Sequence, residues 1–373
     1  MRILSLINCP LQEELGSAYV AMHYARHLRQ LGHAVDLLGS PDFEPWPRWR
    51  RAIRYRQALG MAIYARSRLD RQPYDVLELW GAEAWLAASL LARRRRRPLL
   101  VAHSNGVETH CLEAMAAAGT ANGTRKSSRR SLAYRLADRA FRSVDAVVTV
   151  SRHDLDFVAR RGYAHPARRL AIDNPLPAEY LGLDVPRERE PVITFCGSWL
   201  PRKGTALLEA DLPPLLREFP GWRLRLIGVG ADFRAEDRFP ADVVPRIEVI
   251  PFADRATDLL RLYCSSAVAV MPSTYEGFGL VAAEAMACGC ALVAARTGFA
   301  ASLADGEEAL LLAEPRSPTL RQALGRLLSD EELRARLARA GYLRVQGLAW
   351  ERAAATLAGA YEGWVAEHRR AGR

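Results

Sequence analysis

Long uninterrupted apolar runs are missing from these 373 residues. No window approaches the roughly 18 apolar residues of a membrane-spanning helix. The opening MRILSLINCP is too short an apolar run for a secretory leader, and polar residues follow at once. The expected location is therefore cytoplasmic. The 6 cysteines (Cys9, Cys111, Cys196, Cys264, Cys288 and Cys290) lack zinc-site spacing, and Cys288-Gly289-Cys290 is not a redox Cys-x-x-Cys. Small, buried apolar residues are what such cysteines are expected to be. Repeats of solenoid period are absent, and low complexity is confined to short arginine runs.

At 373 residues the chain is too long for one ordinary core, which points to two domains of similar size. Its 50% hydrophobic and 25% charged residues are ordinary for a globular protein. The net charge of +10 is uneven: residues 1–185 hold 28 Lys+Arg against 18 Asp+Glu, whereas residues 186–373 hold 24 of each. All of the excess lies in the first half, so an acidic surface or ligand is expected there.

Both halves alternate short apolar runs with amphipathic segments. RILSLI, AVDLLG, Val76–Leu79, Leu99–His103, Ala146–Val150 and Arg169–Ile172 read as strands, with a helix from about Ser17 to Leu31. The pattern restarts with PVITFCG, RLRLIGVG, RIEVIPF, VAVMPS and ALVAA, and two helices end the chain. Such runs between helices predict parallel sheets covered on both faces. NPLPAEYLGLDVPREREP, rich in proline and charge, reads as the linker between two doubly wound domains. A cleft at the carboxyl ends of their strands is the expected ligand site.

Two stretches carry the chemistry. In PSTYEGFGLVAAEAMACG a strand leads through a glycine turn into a helix starting at about Gly279. The free N–H groups of Phe278, Gly279, Leu280 and Val281 suit phosphate there, and Gly277 and Gly279 let the backbone approach a ligand. Glu276 stands just outside the helix and Glu284 inside it, so both carboxylates can border one ligand. Carboxylates accept hydrogen bonds from sugar hydroxyls, which fits a nucleotide-sugar: Glu284 on the ribose, Glu276 on the transferred sugar. The alternative from spacing alone is that Glu276 caps the helix and Glu284 lies in solvent. In FCGSWLPRKG, Arg202 and Lys203 follow a strand end, where two cations suit a diphosphate; the alternative is a solvated loop pair.

EGFGLVAAEAMACG resembles the Glu-x7-Glu signature of retaining GT-B glycosyltransferases of family 4, group 1. The resemblance runs in order through LGSAYVAMHYARHLRQLGHAVDLL, FCGSWLPRKG, RLIGVG, VIPFADRATDLLRLYCSSAVAVMPS and LAWERAAATLAGAY. It implies an α/β GT-B fold of two Rossmann-like doubly wound domains facing a central cleft. Residues 1–180 would be the acceptor side, 181–350 the nucleotide-sugar domain, and 351–373 a closing helix that packs back on the first domain. It also implies donor contacts for Glu276, Phe278, Gly279, Leu280, Val281, Glu284, Arg202 and Lys203. Gly16 and Ser17 match the glycine loop near donor phosphate and sugar, and Phe252 lies where the backbone meets the base. Ser198 replaces the usual arginine, so Arg202 is expected to supply that cation. His103 matches an acceptor-side histidine. TGFA (297–300) departs from the family pattern, which puts donor-sugar contacts there in question.

The implied reaction is transfer, with retention, of a sugar from a UDP- or GDP-sugar to a hydroxyl of a glycan, a lipid-linked intermediate or a small molecule. No Asp-x-Asp metal motif is expected to serve the donor, and Lys203 with the helix terminus can replace a divalent ion, so neither metal nor cofactor is expected. A rival within enzymes is a GT-B phosphorylase or sugar-nucleotide epimerase; the pyridoxal type needs a lysine context that is not found. A rival from another class is a degenerate member that binds nucleotide or glycan without turnover. PRWRRAIRYRQALGMAIYARSRL (47–69) reads as a basic helix with Trp49, Ile53, Leu59, Ile63 and Leu69 among 7 arginines, joined by ARRRRRP (92–98) and TRKSSRRS (124–131). These clusters fit solvated helix ends or an anionic membrane surface on the inner face. Nucleic acid is not expected, because no nucleic-acid motif accompanies the charge.

Overall fold

Strand residues alternate between two covered faces, and that alternation sets the layers. A computed structural model describes the chain except residues 14, 47–50, 120–130, 187, 254–257, 315 and 372–373. The basic cluster 124–131 and Trp49 therefore lie almost wholly or wholly outside the described residues. Two units are present: Met1 to Asn174 with Trp350 onward, and Pro175 to Ala349 with the short stretch 117–120.

The first unit runs β1 (Arg2–Ile7), α1 (Gly16–Gln30), β2 (Ala34–Leu38), α2 (Ser40–Phe43), α3 (Ile53–Arg71), β3 (Val76–Trp80), α4 (Trp85–Leu91), β4 (Leu99–Ser104), α5 (Glu108–Ala117), α6 (Leu132–Arg142), β5 (Ala146–Thr149), α7 (Arg152–Arg161) and β6 (Arg169–Ala171). The second runs β7 (Glu190–Cys196), α8 (Thr205–Glu218), β8 (Arg223–Ile227), β9 (Ile247–Ile250), α9 (Asp258–Ser265), β10 (Ser266–Met271), α10 (Leu280–Ala287), β11 (Ala291–Ala295), β12 (Leu310–Leu312), α11 (Thr319–Ser329) and α12 (Glu331–Val345). Helix α13 (Trp350–Ala371) returns to the first unit and packs on α1.

Each unit holds a parallel six-stranded sheet, ordered β2-β1-β3-β4-β5-β6 and β12-β11-β10-β7-β8-β9. Both orders reverse direction, the first between β1 and β3, the second between β7 and β10. In the first sheet Ile3, Val76, Leu99 and Val148 turn toward α1 and α13. Their neighbours Leu4, Leu77, Leu100 and Val147 turn to the opposite face. The second unit has its own core, in which Phe195, Leu208, Leu224, Val268, Leu324 and Leu337 are buried. Burial on both faces explains why these strands read as continuous apolar runs.

The stretch expected to link the halves adjoins the division between the two units at Asn174/Pro175, and two other expectations need correction. The stretch expected to be a linker is packed: Tyr180 is fully buried and the Leu176 N–H bonds the Leu348 carbonyl at 2.9 Å. The Arg189 guanidinium bonds the carbonyls of Cys264, Ser266 and Cys288 at 2.7–3.1 Å, anchoring the entry to β7. Among the cysteines only Cys288 and Cys290 are buried; the other four are half-buried. The ARRRRRP run is partly neutralised rather than wholly solvated, because Arg94 pairs Asp70 at 2.7 Å and Arg97 pairs Asp145.

Candidate functional site

The reversal between β7 and β10 opens a crevice at the carboxyl ends of these neighbouring strands. β7 ends at Cys196, and Gly197-Ser198 leads to a short 3-10 turn, Pro201–Lys203. β10 ends at Met271, and Pro272 to Gly279 leads into α10. The two sequence stretches singled out for chemistry thus leave adjacent strands at the switch point. The Thr274 N–H donates to the Arg202 carbonyl at 2.8 Å, tying the loops together.

Gly204 makes this closeness possible. It sits at φ 76°, and an added Cβ would lie 2.2 Å from the Pro272 carbonyl oxygen. Gly298 does the same on the other side. At φ 57° its Cβ would meet the Phe278 carbonyl oxygen at 2.3 Å and the Glu276 Cβ at 3.1 Å. TGFA therefore lies against the Glu276 turn, and the Phe299 N–H donates to the Phe278 carbonyl at 2.7 Å. Thr297 Oγ1 and Ser273 Oγ are buried without a hydrogen-bond partner among the described residues.

Glu276 and Lys203 meet: Lys203 Nζ lies 2.7 Å from Glu276 Oε1, with both side chains largely buried. Sequence reasoning assigned one to phosphate and the other to sugar and did not foresee the pair, whose members stand 73 residues apart. Glu284 is buried, at 1% exposure, so neither a solvated charge nor a surface decoration describes it. Gly279 at φ 87° is the N-cap of α10, and the Ala282 N–H bonds the Gly279 carbonyl at 2.9 Å. Leu280 and Val281 are the first two helical residues, where backbone N–H groups have no intrahelical acceptor. Phe278 is buried against Phe299, with ring centroids 5.3 Å apart. Ser198 is exposed, Arg202 half-buried, and Phe252, just beyond β9, is 74% exposed.

Gly16, Ser17 and His103 belong to the first unit. Gly16 and Ser17 begin α1 and are exposed. Asn105 Nδ2 donates to the Ser17 carbonyl at 3.3 Å, so this loop borders the end of β4, where His103 stands. His103 is buried and stacks on Trp80 at 3.8 Å. Its Nδ1 is 2.8 Å from Glu78 Oε1, which also accepts from Tyr361 at 2.5 Å; Glu78 Oε2 accepts from Ser5 at 2.6 Å. Burial pushes the Glu78 carboxyl up, but His103, Ser5 and Tyr361 outweigh it and hold it below the usual carboxylate range. His103 Nε2 is buried without a partner among the described residues. Sequence reasoning missed Glu78, although a lone carboxylate in the apolar strand VLELW was a signal that partners had to exist.

Comparison with known proteins identifies the family and the fold. Residues 190–330 match the family described as "Glycosyl transferases group 1", and residues 16–176 match "Glycosyltransferase Family 4". The chain belongs to the group 1, family 4 glycosyltransferases. A "D-inositol 3-phosphate glycosyltransferase" of Acidothermus cellulolyticus is 33% identical over 191 residues, 48% of this chain and 42% of that protein. One of the same name from an Arthrobacter species is 29% identical over 60% of this chain and 55% of that one. The matches thus span about half the length of these relatives. Among solved structures, sucrose-phosphate synthase from Thermosynechococcus elongatus superposes with a TM-score of 0.78 at 19% identity, covering 98% of this chain and 100% of that one. Anabaena HepE in complex with UDP gives 0.67 at 16% identity, covering 97% and 100%. These likenesses establish the GT-B fold.

Proposed function

We propose that this family member is a retaining glycosyltransferase that moves a sugar from a nucleoside-diphosphate sugar to a hydroxyl acceptor. The observation that carries the reading is the juxtaposition of Lys203, Glu276 and the start of α10 at the β7/β10 switch point. Departure of the nucleoside diphosphate builds negative charge on its β-phosphate and oxocarbenium character on the sugar. The N–H groups of Leu280 and Val281 with Lys203 and Arg202 would meet that charge as it develops, which lowers the barrier. Donor binding would hand Lys203 from Glu276 to the phosphate and free the Glu276 carboxylate for the sugar hydroxyls. Glu276 then positions the sugar rather than carrying a proton, and same-face attack assisted by the leaving phosphate accounts for retention. No divalent metal is required in this scheme, and buried Glu284 anchors the ribose.

The names of the curated relatives and the +10 charge of the first half favour a phosphate-bearing acceptor, either a phosphorylated polyol or a lipid-linked glycan. Among the described residues no helix is long and apolar enough to cross a membrane. A peripheral contact at the membrane's inner face is supported by α3, where Tyr55, Leu59 and Ile63, spaced one turn apart, are 36–58% exposed beside exposed Arg54 and Arg66. Co-sedimentation with anionic vesicles is expected and should fade with salt; binding that ignores lipid charge, or no binding, contradicts this contact. For the function itself, calorimetric titration against UDP-, GDP- and ADP-sugars with product detection decides. Binding and transfer of at least one is expected. Binding of none removes the transferase reading, and binding without turnover supports the degenerate one.

A further inference from the structure

The expectation that the chain carries no Asp-x-Asp motif overlooks one in the first half. In the first half, Asp154-Leu155-Asp156 lies in helix α7, where residues two apart face different sides. Asp156 is exposed and pairs Arg152 at 3.1 Å. Asp154 turns inward and is fully buried. There it meets His110 from the first turn of α5: His110 Nδ1 stands 2.7 Å from Asp154 Oδ1. The neighbouring His153 brings a second imidazole, its ring centroid 4.5 Å from that of His110.

We propose that His110, His153 and Asp154 bind one divalent transition-metal ion of the zinc, cobalt or nickel class. One ligand atom from each of the three lies within 4.8 Å of the others. Ligands bound to zinc at about 2.0–2.1 Å in a tetrahedron stand about 3.3 Å apart. The 2.7 Å contact therefore opens slightly, and the widest separation closes by a rotation of the half-buried His153 side chain. Two imidazoles and one carboxylate select borderline ions over calcium or magnesium, which take oxygen ligands.

Supporting contacts hold the ligands as a metal site needs. The Val107 N–H donates to Asp154 Oδ2 at 3.0 Å, while Oδ1 meets His110. Phe157 stacks on His110 at 4.3 Å and 10° and fixes the ring plane. The ion takes the place of the proton between His110 and Asp154, the imidazole keeping its hydrogen on the other nitrogen. It joins the first turns of α5 and α7, which follow the adjacent parallel strands β4 and β5. Three protein ligands leave a fourth position for water.

The test uses the full chain, freed of metal with a chelator and titrated with Zn²⁺ and, separately, Co²⁺. One equivalent should bind, and the Co²⁺ form should show visible d–d absorption without a thiolate charge-transfer band. His153→Gln and His110→Gln should each weaken binding at least tenfold, while circular dichroism and nucleotide affinity stay native. A thiolate band would place the ion on cysteines and overturn the proposal. So would less than one equivalent, or native affinity in both histidine variants.

Discussion

Glu276→Ala is expected to lower the rate of sugar transfer about 10³-fold while leaving nucleotide affinity within about threefold of the native protein. The asymmetry follows from position. Glu276 stands in the turn before α10, beside Lys203, the cation proposed to meet phosphate, whereas the proposed nucleotide contacts come later in the segment. Removing the carboxylate leaves Lys203 with its charge and its loop, which stays tied to Thr274 through a backbone hydrogen bond. What is lost is the acceptor for hydroxyls of the transferred sugar, an interaction that matters once the sugar distorts toward the oxocarbenium ion. Steady-state kinetics with a calorimetric Kd for the nucleoside diphosphate separates the two effects. A variant with native turnover, or one that loses nucleotide binding in proportion to rate, contradicts the assignment.

The second large effect belongs to Lys203. Lys203→Met keeps the length of the side chain and removes its charge, so the leaving diphosphate loses a cation in a largely buried setting. A fall of about 10²–10³ in kcat/KM is expected. The ion pair adds a second consequence, because Glu276 is left as an uncompensated, largely buried carboxylate. Stability should fall in the single variant and partly recover in Lys203→Met/Glu276→Gln, where no charge remains. Turnover should not recover, because both groups serve the reaction. Thermal unfolding and kinetics on the four proteins of this cycle measure both. Additive losses of stability would show that the pair does not interact.

Much of the second unit was legible because its information is local. Strands β7 and β10 are continuous apolar runs, and the stretches FCGSWLPRKG and PSTYEGFG punctuate their ends with glycine and proline. Gly279, expected near the helix start, is the N-cap of α10. Contacts between residues distant in sequence were not legible. Nothing near Lys203 announces Glu276, and nothing near Glu78 announces Tyr361, 283 residues away. Three-residue β12, Leu310–Leu312, was too short to stand out from its apolar surroundings. The packing of the proline-rich stretch before β7 was not legible either, because composition reports irregular backbone, not exposure: Tyr180 is buried there and Arg189 bonds carbonyls of the second unit.

The central claim divides labour between two glutamates in one turn-and-helix segment: Glu276 serves the transferred sugar and Glu284 the nucleotide. One calorimetric series tests it, titrating the donor's nucleoside diphosphate into the native protein, Glu276→Ala and Glu284→Ala. The account predicts affinity within about threefold of native for Glu276→Ala and a loss of at least about tenfold for Glu284→Ala, the cost of one charge-assisted hydrogen bond. Equal affinity in all three proteins, or a loss confined to Glu276→Ala, would contradict it.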